Sequence, residues 1–229
     1  MSTPQCALRV LNYGARLVRY AESMTMMQVL AEQRKCDAIP DTLMVLQHAP
    51  VYTIGKRGSP ADFRVPMQEV LNQGCEVHVT SRGGELTYHG PGQCVVYPIV
   101  KLRSQGKATR AYVEGLEDAL VLTLAEYGIA GRGRVPGATG VWVEDAKIAA
   151  LGVRVRHGVS THGVALNVNT DLRAFDAIVP CGITDKRVTS MQQQLQAQCA
   201  AGDMEQLQAE QQELQGENGS LEQQVEELT

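Results

Sequence analysis

The stretch that decides the architecture is Gly140-Val-Trp-Val-Glu-Asp-Ala-Lys147-Ile-Ala-Ala-Leu-Gly152-Val-Arg-Val-Arg156-His-Gly-Val-Ser160-Thr-His162-Gly-Val-Ala-Leu-Asn167. Three apolar runs follow one another, Gly140–Val143, Ile148–Arg156 and Ser160–Asn167, with no helical stretch between them. Glu144-Asp145 and His157-Gly158 interrupt them where a hairpin must turn. Strands that follow one another directly pair antiparallel, so the regular alternation of a parallel α/β protein is excluded here.

Outward from this meander, short strands alternate with helical segments. Ala7–Tyr13, Thr42–Gln47, Val51–Ile54, Glu76–Thr80 and Cys94–Val100 read as strands, and Arg16–Lys35 and Met67–Asn72 as helices. Tyr112, Leu116, Ala119, Leu120 and Thr123 recur at helical spacing, which predicts a helix over Thr109–Tyr127 ended by Gly128. The pattern predicts an α+β fold, a mixed β-sheet flanked by helices.

After about Val188 the composition shifts to Gln, Glu and Leu. Leu207, Leu214, Leu221 and Leu228 recur every seven residues, with Met204, Gln211, Asn218 and Val225 at the alternate seam positions. The organisation predicted is a catalytic domain over residues 1–195 and a heptad tail over 196–229. Two polar seam residues and Gly202, Gly216 and Gly219 leave two readings of that tail: a solvated helix, or a short coiled coil for self-association or a partner.

The 229 residues suffice for one substantial core. A net charge of −4 argues against a protein that blankets nucleic acid. No apolar run approaches the roughly 20 residues of a membrane span, so no membrane role is expected. The six cysteines lack paired spacing, which points to reduced thiols and away from a structural zinc site. Arg9, Arg16 and Arg19 precede the first acidic residue, Glu22, as in a mitochondrial presequence, yet the same residues read as the domain's first strand and helix.

Three segments carry the chemistry. Ser81-Arg82-Gly-Gly-Glu-Leu-Thr-Tyr-His89-Gly-Pro-Gly-Gln93 packs four glycines and a proline between two strands, so its backbone can approach a ligand closely. It fits neither G-x-G-x-x-G at a strand-to-helix turn nor a P-loop. Lys147 enters an otherwise apolar strand and faces either solvent or a pocket. Cys181, between Pro180 and Gly182, sits where an accessible nucleophile could have free amides beside it for an oxyanion. An adjacent cation such as Lys147 would favour the thiolate. His89 and His162, both next to glycine, compete as the base; His48, His78 and His157 read as ordinary surface or strand residues.

Four motifs in order, Arg82-to-Gln93, Thr139-Gly-Val-Trp-Val with Lys147-Ile-Ala-Ala-Leu-Gly152, Ser160-to-Asn167, and Val179-Pro-Cys-Gly182, resemble the lipoyl(octanoyl) transferases over roughly residues 7 to 195. The resemblance implies the fold of the biotin and lipoate protein ligase catalytic domains. It implies that Cys181 attacks octanoyl-acyl carrier protein and holds the octanoyl group as a thioester. The group then passes to a lysine ε-amine of lipoyl domains in 2-oxoacid dehydrogenase E2 subunits and glycine cleavage H protein. Lys147 would lower the thiol pKa and shuttle protons. Arg82, Gly83, Gly84, Glu85, Leu86, Thr87, Tyr88, His89, Ala150, Leu151, Gly152, Gly163, Val164 and Ala165 would bind substrate.

On the same resemblance no metal or other cofactor is needed, because the thioester arrives activated. Arg132, Arg134, Arg154 and Arg156 are candidate docking charges for acidic partners. The compartment implied is mitochondrial, or cytoplasmic in a bacterium. Two rival readings are an ATP-dependent lipoate- or biotin-type ligase and a non-catalytic scaffold that binds lipoyl domains. The tail departs from the family, in which an apolar closing helix stands at that place.

Overall fold

A computed structural model describes residues 7–102, 107–179 and 187–200. The chain falls into two units, Met1–Met191 and Gln192–Thr229; of the second, residues 192–200 are described and are helical. The heptad leucines and Cys181 lie outside the described residues.

The first unit contains β1 (Leu8–Val18), α1 (Tyr20–Lys35), β2 (Asp41–His48), β3 (Val51–Ile54), α2 (Met67–Asn72), β4 (Glu76–Val79) and β5 (Leu86–His89). It continues with β6 (Gln93–Ile99), α3 (Lys107–Ala125), β7 (Val141–Val143), β8 (Ala146–Arg156), β9 (Val159–Asn167) and β10 (Arg187–Val188). The fold is α+β, as the sequence predicts. A seven-stranded sheet runs β1-β2-β6-β9-β8-β10, with β7 paired to β8, and a second sheet runs β4-β3-β5. Both are mixed: β1/β2, β8/β10 and β3/β4 are parallel, and the other pairs are antiparallel.

Strand β2 alternates side chains across the sheet, burying Thr42, Met44, Leu46 and His48. Helix α1 covers this region. Its Tyr20, Ser23, Met27 and Leu30 are buried at intervals of three and four residues, the spacing of one helical face. Met27 and Leu30 join Met44, Leu46, Val95, Tyr97 and Ile99 in one core cluster. Each fully buried side chain of this size contributes about 1.5–3 kcal/mol over its exposed state.

Most element limits move by a residue or two from the sequence reading, and two segments change more. Strand β1 extends to Val18, so α1 begins at Tyr20 rather than Arg16; the pairing with β2 resumes at Leu17 and Val18 after an irregularity. Leu8–Val18 is therefore part of the domain's sheet. The glycine-rich segment 81–93 is not all loop, since Leu86–His89 forms β5 and pairs with β3. Helix α3 spans Lys107–Ala125 rather than Thr109–Tyr127, and Gly128, at φ 71°, closes the turn after it, where the amides of Gly128 and Ile129 bond back to Ala125 and Leu124.

Candidate active site

The β7–β8 hairpin turns through Glu144, at φ 50°, and brings Trp142 opposite Lys147 in the ladder. Lys147 does not face solvent. It is 9% exposed, its ammonium lies 4.8 Å from the centre of the Trp142 ring, and Nζ donates to the Thr139 carbonyl at 3.2 Å. Buried Glu117 of α3 accepts the amides of Arg134 and Gly140, at 2.9 and 2.8 Å, and so pins the loop that supplies Thr139.

Lys147 opens onto a cleft of about 800 Å³, its mouth included. Arg82, Gly84, Glu85, Leu86, Thr87 and His89 line it on one side. Ala150, Leu151, Gly152, Gly163, Val164 and Ala165 of the β8–β9 ladder line the other. Gly83 and Tyr88 are not among the lining residues. Tyr88 packs against Tyr52 and Phe175 in the core of the smaller sheet, while the Gly83 amide bonds to the Val153 carbonyl.

Paired glycines explain how a loop can cross the ladder. Gly152 faces Gly163 in the register, and a Cβ on Gly152 would stand 2.7 Å from the Gly83 carbonyl oxygen. Arg82 then holds the loop from within. Its guanidinium donates to Thr53 Oγ1 at 2.8 Å and to the Glu85 and Gly83 carbonyls at 2.7 and 2.9 Å. Planar forked donors suit such a cluster of oxygens.

A buried relay joins the cleft to β10. His89 Nδ1–H donates to Gln93 Oε1 at 2.7 Å, which leaves Nε2 to accept from the Thr53 hydroxyl. Gln93 Nε2 donates to Asn167 Oδ1 at 2.9 Å, Asn167 Nδ2 to the Thr189 carbonyl at 3.0 Å, and the Thr189 amide to the Lys147 carbonyl at 3.0 Å. Within β10, Val188 pairs with Lys147 itself. The chain that carries Cys181 thus resumes, at Arg187, alongside the lysine.

The histidines sort by burial. His89 is held well below the usual imidazole range, first by burial and then by His48 and Arg82. Burial likewise lowers His162 and His48 to about 4 each. His48 is a strand residue, the last of β2, and is wholly buried, with Nδ1–H donating to the Val18 carbonyl and Nε2 accepting from Tyr97 Oη. His78 pairs with Glu76, and His157 is exposed at a turn. Cys75 and Cys94 have thiols raised by burial, which disfavours the thiolate. Among the described residues no cluster of His, Cys, Asp and Glu could hold a metal ion.

Sequence reasoning did not single out Trp142, Thr139, Glu117, Tyr20 or Tyr97, all of which build or line the cleft or its support. The sole tryptophan of the chain, five residues before a lone strand lysine, was a signal that could have found the first.

A largely apolar cleft beside a mixed sheet, with a buried lysine among its lining residues, is thus the candidate site of an α+β protein. Residues 19–212 match the family described as lipoyl protein ligase A/B catalytic domain. The mitochondrial octanoyltransferase of Arabidopsis thaliana is 46% identical over 177 residues, covering 77% of this chain and 75% of that protein. The octanoyltransferase of Acidobacterium capsulatum is 43% identical, covering 81% and 79%. A lipoate-protein ligase A solved with ATP shares the fold, with a TM-score of 0.63 and 18% identity over 80% of this chain and 76% of that one. The chain belongs to the lipoyl protein ligase A/B catalytic domain family, on its octanoyltransferase side, and is an acyltransferase.

Proposed function

We propose that this chain moves an octanoyl group from acyl carrier protein to the lysine ε-amine of a lipoyl domain, with the acyl group held in transit on Cys181. The observation that carries the reading is the position of Lys147 at the head of an apolar cleft, next to the strand that directly follows the Cys181 segment.

The Cys181 thiolate attacks the thioester carbonyl, the carrier's thiol leaves with a proton, and a thioester to Cys181 forms. The acceptor amine then attacks that thioester, loses a proton, and regenerates the thiol. Lys147 is the group that favours the thiolate electrostatically and exchanges these protons. Buried methylenes of the chain contribute about 0.8 kcal/mol each in the lining made by Leu86, Ala150, Leu151, Val164 and Ala165.

Docking falls to exposed cations. Arg132 and Arg134 are engaged by Asp145 and Asp118, and Arg154 donates to Ser81, whereas Arg156 is exposed. Arg156 is thus the candidate that binding to an acidic carrier leaves freest to act. The 46% identical Arabidopsis protein favours the mitochondrion as the compartment. Self-association through the heptad tail is a separate proposal, tested by sedimentation of full-length and tail-truncated chains.

The functional test supplies octanoyl-acyl carrier protein and a lipoyl domain without ATP and follows acceptor mass. Wild type is expected to octanoylate the acceptor and Cys181→Ala to fail. Labelling that requires free octanoate and ATP would instead establish a ligase.

A further inference from the structure

One residue lines both the cleft that holds Lys147 and a second cavity. That cavity measures about 840 Å³, mouth included, and lies between α1, which contributes Met24, Met27 and Ala31, and the β8–β9 hairpin, which contributes Val159 and Thr161. His162 lines both spaces.

The imidazole is 2% exposed and meets the Tyr97 ring edge-on, 6.1 Å between centres. Its own amide donates to Met27 Sδ at 3.0 Å. Nδ1 makes no hydrogen bond among the described residues, so the ring is not held there by a polar partner on that side. The backbone stands at φ 57°, a left-handed conformation uncommon outside glycine but one that histidine adopts more readily than most residues. A buried aromatic ring that lines two cavities has the character of a partition.

Distance along the ladder agrees. His162 pairs with Val153, six residues along β8 from Lys147, or roughly 20 Å at about 3.3 Å per residue. His162 is therefore the β8–β9 residue of the lining that lies farthest along the ladder from Lys147.

We infer that His162 sets the acyl chain length: its imidazole stops the cleft, and its removal joins the cleft to the cavity beneath α1. This rests on the acyl-transfer reading above. In a closed cleft each additional methylene has to displace packed atoms, and pockets of this kind discriminate a methylene by about 10–200-fold. Burial also keeps the ring neutral at neutral pH, which suits contact with an apolar chain end.

The test measures kcat/KM for octanoyl-, decanoyl- and dodecanoyl-acyl carrier protein with a lipoyl-domain acceptor. Wild type is expected to favour octanoyl over dodecanoyl by at least tenfold. His162→Gly, which also relieves the positive φ, is expected to narrow that ratio at least tenfold. Ala31→Phe fills the second cavity; alone it leaves octanoyl transfer and the ratio unchanged, and combined with His162→Gly it restores the wild-type ratio. Should circular dichroism show that His162→Gly does not fold, His162→Asn, shorter and tolerant of this backbone conformation, takes its place with the same ordering.

An unchanged ratio in a folded His162 variant that still transfers octanoyl overturns the inference. So does a wild type that accepts dodecanoyl as readily as octanoyl. A wild type that transfers no octanoyl at all would instead remove the functional reading on which the inference rests.

Discussion

Acid should loosen this fold well above the pH at which its carboxylates protonate, and His48 is the place to see it. The folded protein keeps His48 neutral down to about pH 4 because the ring is buried. An unfolded chain protonates the same ring near 6.5. Between those values the unfolded state binds more protons, so stability rises with pH, is complete above about 6.5, and is lost as pH falls toward 4. Between pH 7 and pH 5 one such histidine forfeits about 2 kcal/mol, because each tenfold difference in proton affinity between the folded and unfolded chains is worth about 1.4 kcal/mol. Protonation would also turn the Nε2 acceptor of the Tyr97 hydroxyl into a donor.

Asp37, Glu76 and Asp171 have carboxyls lowered by ionic hydrogen bonds to their neighbours, so they titrate below this window and do not confound it. Urea unfolding of wild type and His48→Gln at pH 7 and pH 5 gives the measurement, because glutamine can replace both hydrogen bonds without titrating. Wild type should lose about 2 kcal/mol more than His48→Gln across that interval. Equal losses in the two proteins would refute the assignment of a buried neutral His48.

Lys147→Met is expected to keep the fold and lose transfer by about 100-fold or more, the range of a lost proton-transfer group, read as acceptor octanoylation at fixed enzyme. Arg82→Lys retains the charge but not the fork that holds Thr53, Gly83 and Glu85, and should cost about 2 kcal/mol in urea stability with a raised KM. Gly152→Ala pushes a Cβ toward the Gly83 carbonyl 2.7 Å away, so about 1–3 kcal/mol of stability should go and the loop over the cleft should shift, read by unfolding and by KM.

Strands were legible where β-branched and apolar residues run between turn signals: Val51–Ile54 falls where the sequence puts it, and Glu76–Thr80 within one residue. The short helix Met67–Asn72 also keeps its predicted bounds. Strand β5 was hidden because Leu86–His89 is short and framed by glycines; its pairing with β3, some 30 residues earlier, supplies the order that local sequence lacks. The direction of Lys147 was hidden for a related reason. Alternation along β8 leaves its face open, and only the β7 partner that lays Trp142 beside it, with the loop pinned by Glu117, decides that it points inward.

The polar relay was legible as residues but not as a network. Gln93 and Asn167 stand at the ends of the quoted motifs, and nothing local states that they meet 74 positions apart. Local reading likewise gave His48 no interior role, because a histidine in an alternating strand has two faces to choose from. Burial under α1 made that choice.

The central claim is an acyl group carried on Cys181, and intact-protein mass spectrometry addresses it directly. Incubation with octanoyl-acyl carrier protein, without ATP or acceptor, should add one octanoyl group to wild type and none to Cys181→Ala. Hydroxylamine should remove the adduct, and a lipoyl domain should accept it in a chase. An unmodified wild-type enzyme that nevertheless octanoylates the acceptor would contradict the covalent route and leave direct transfer between the two carriers.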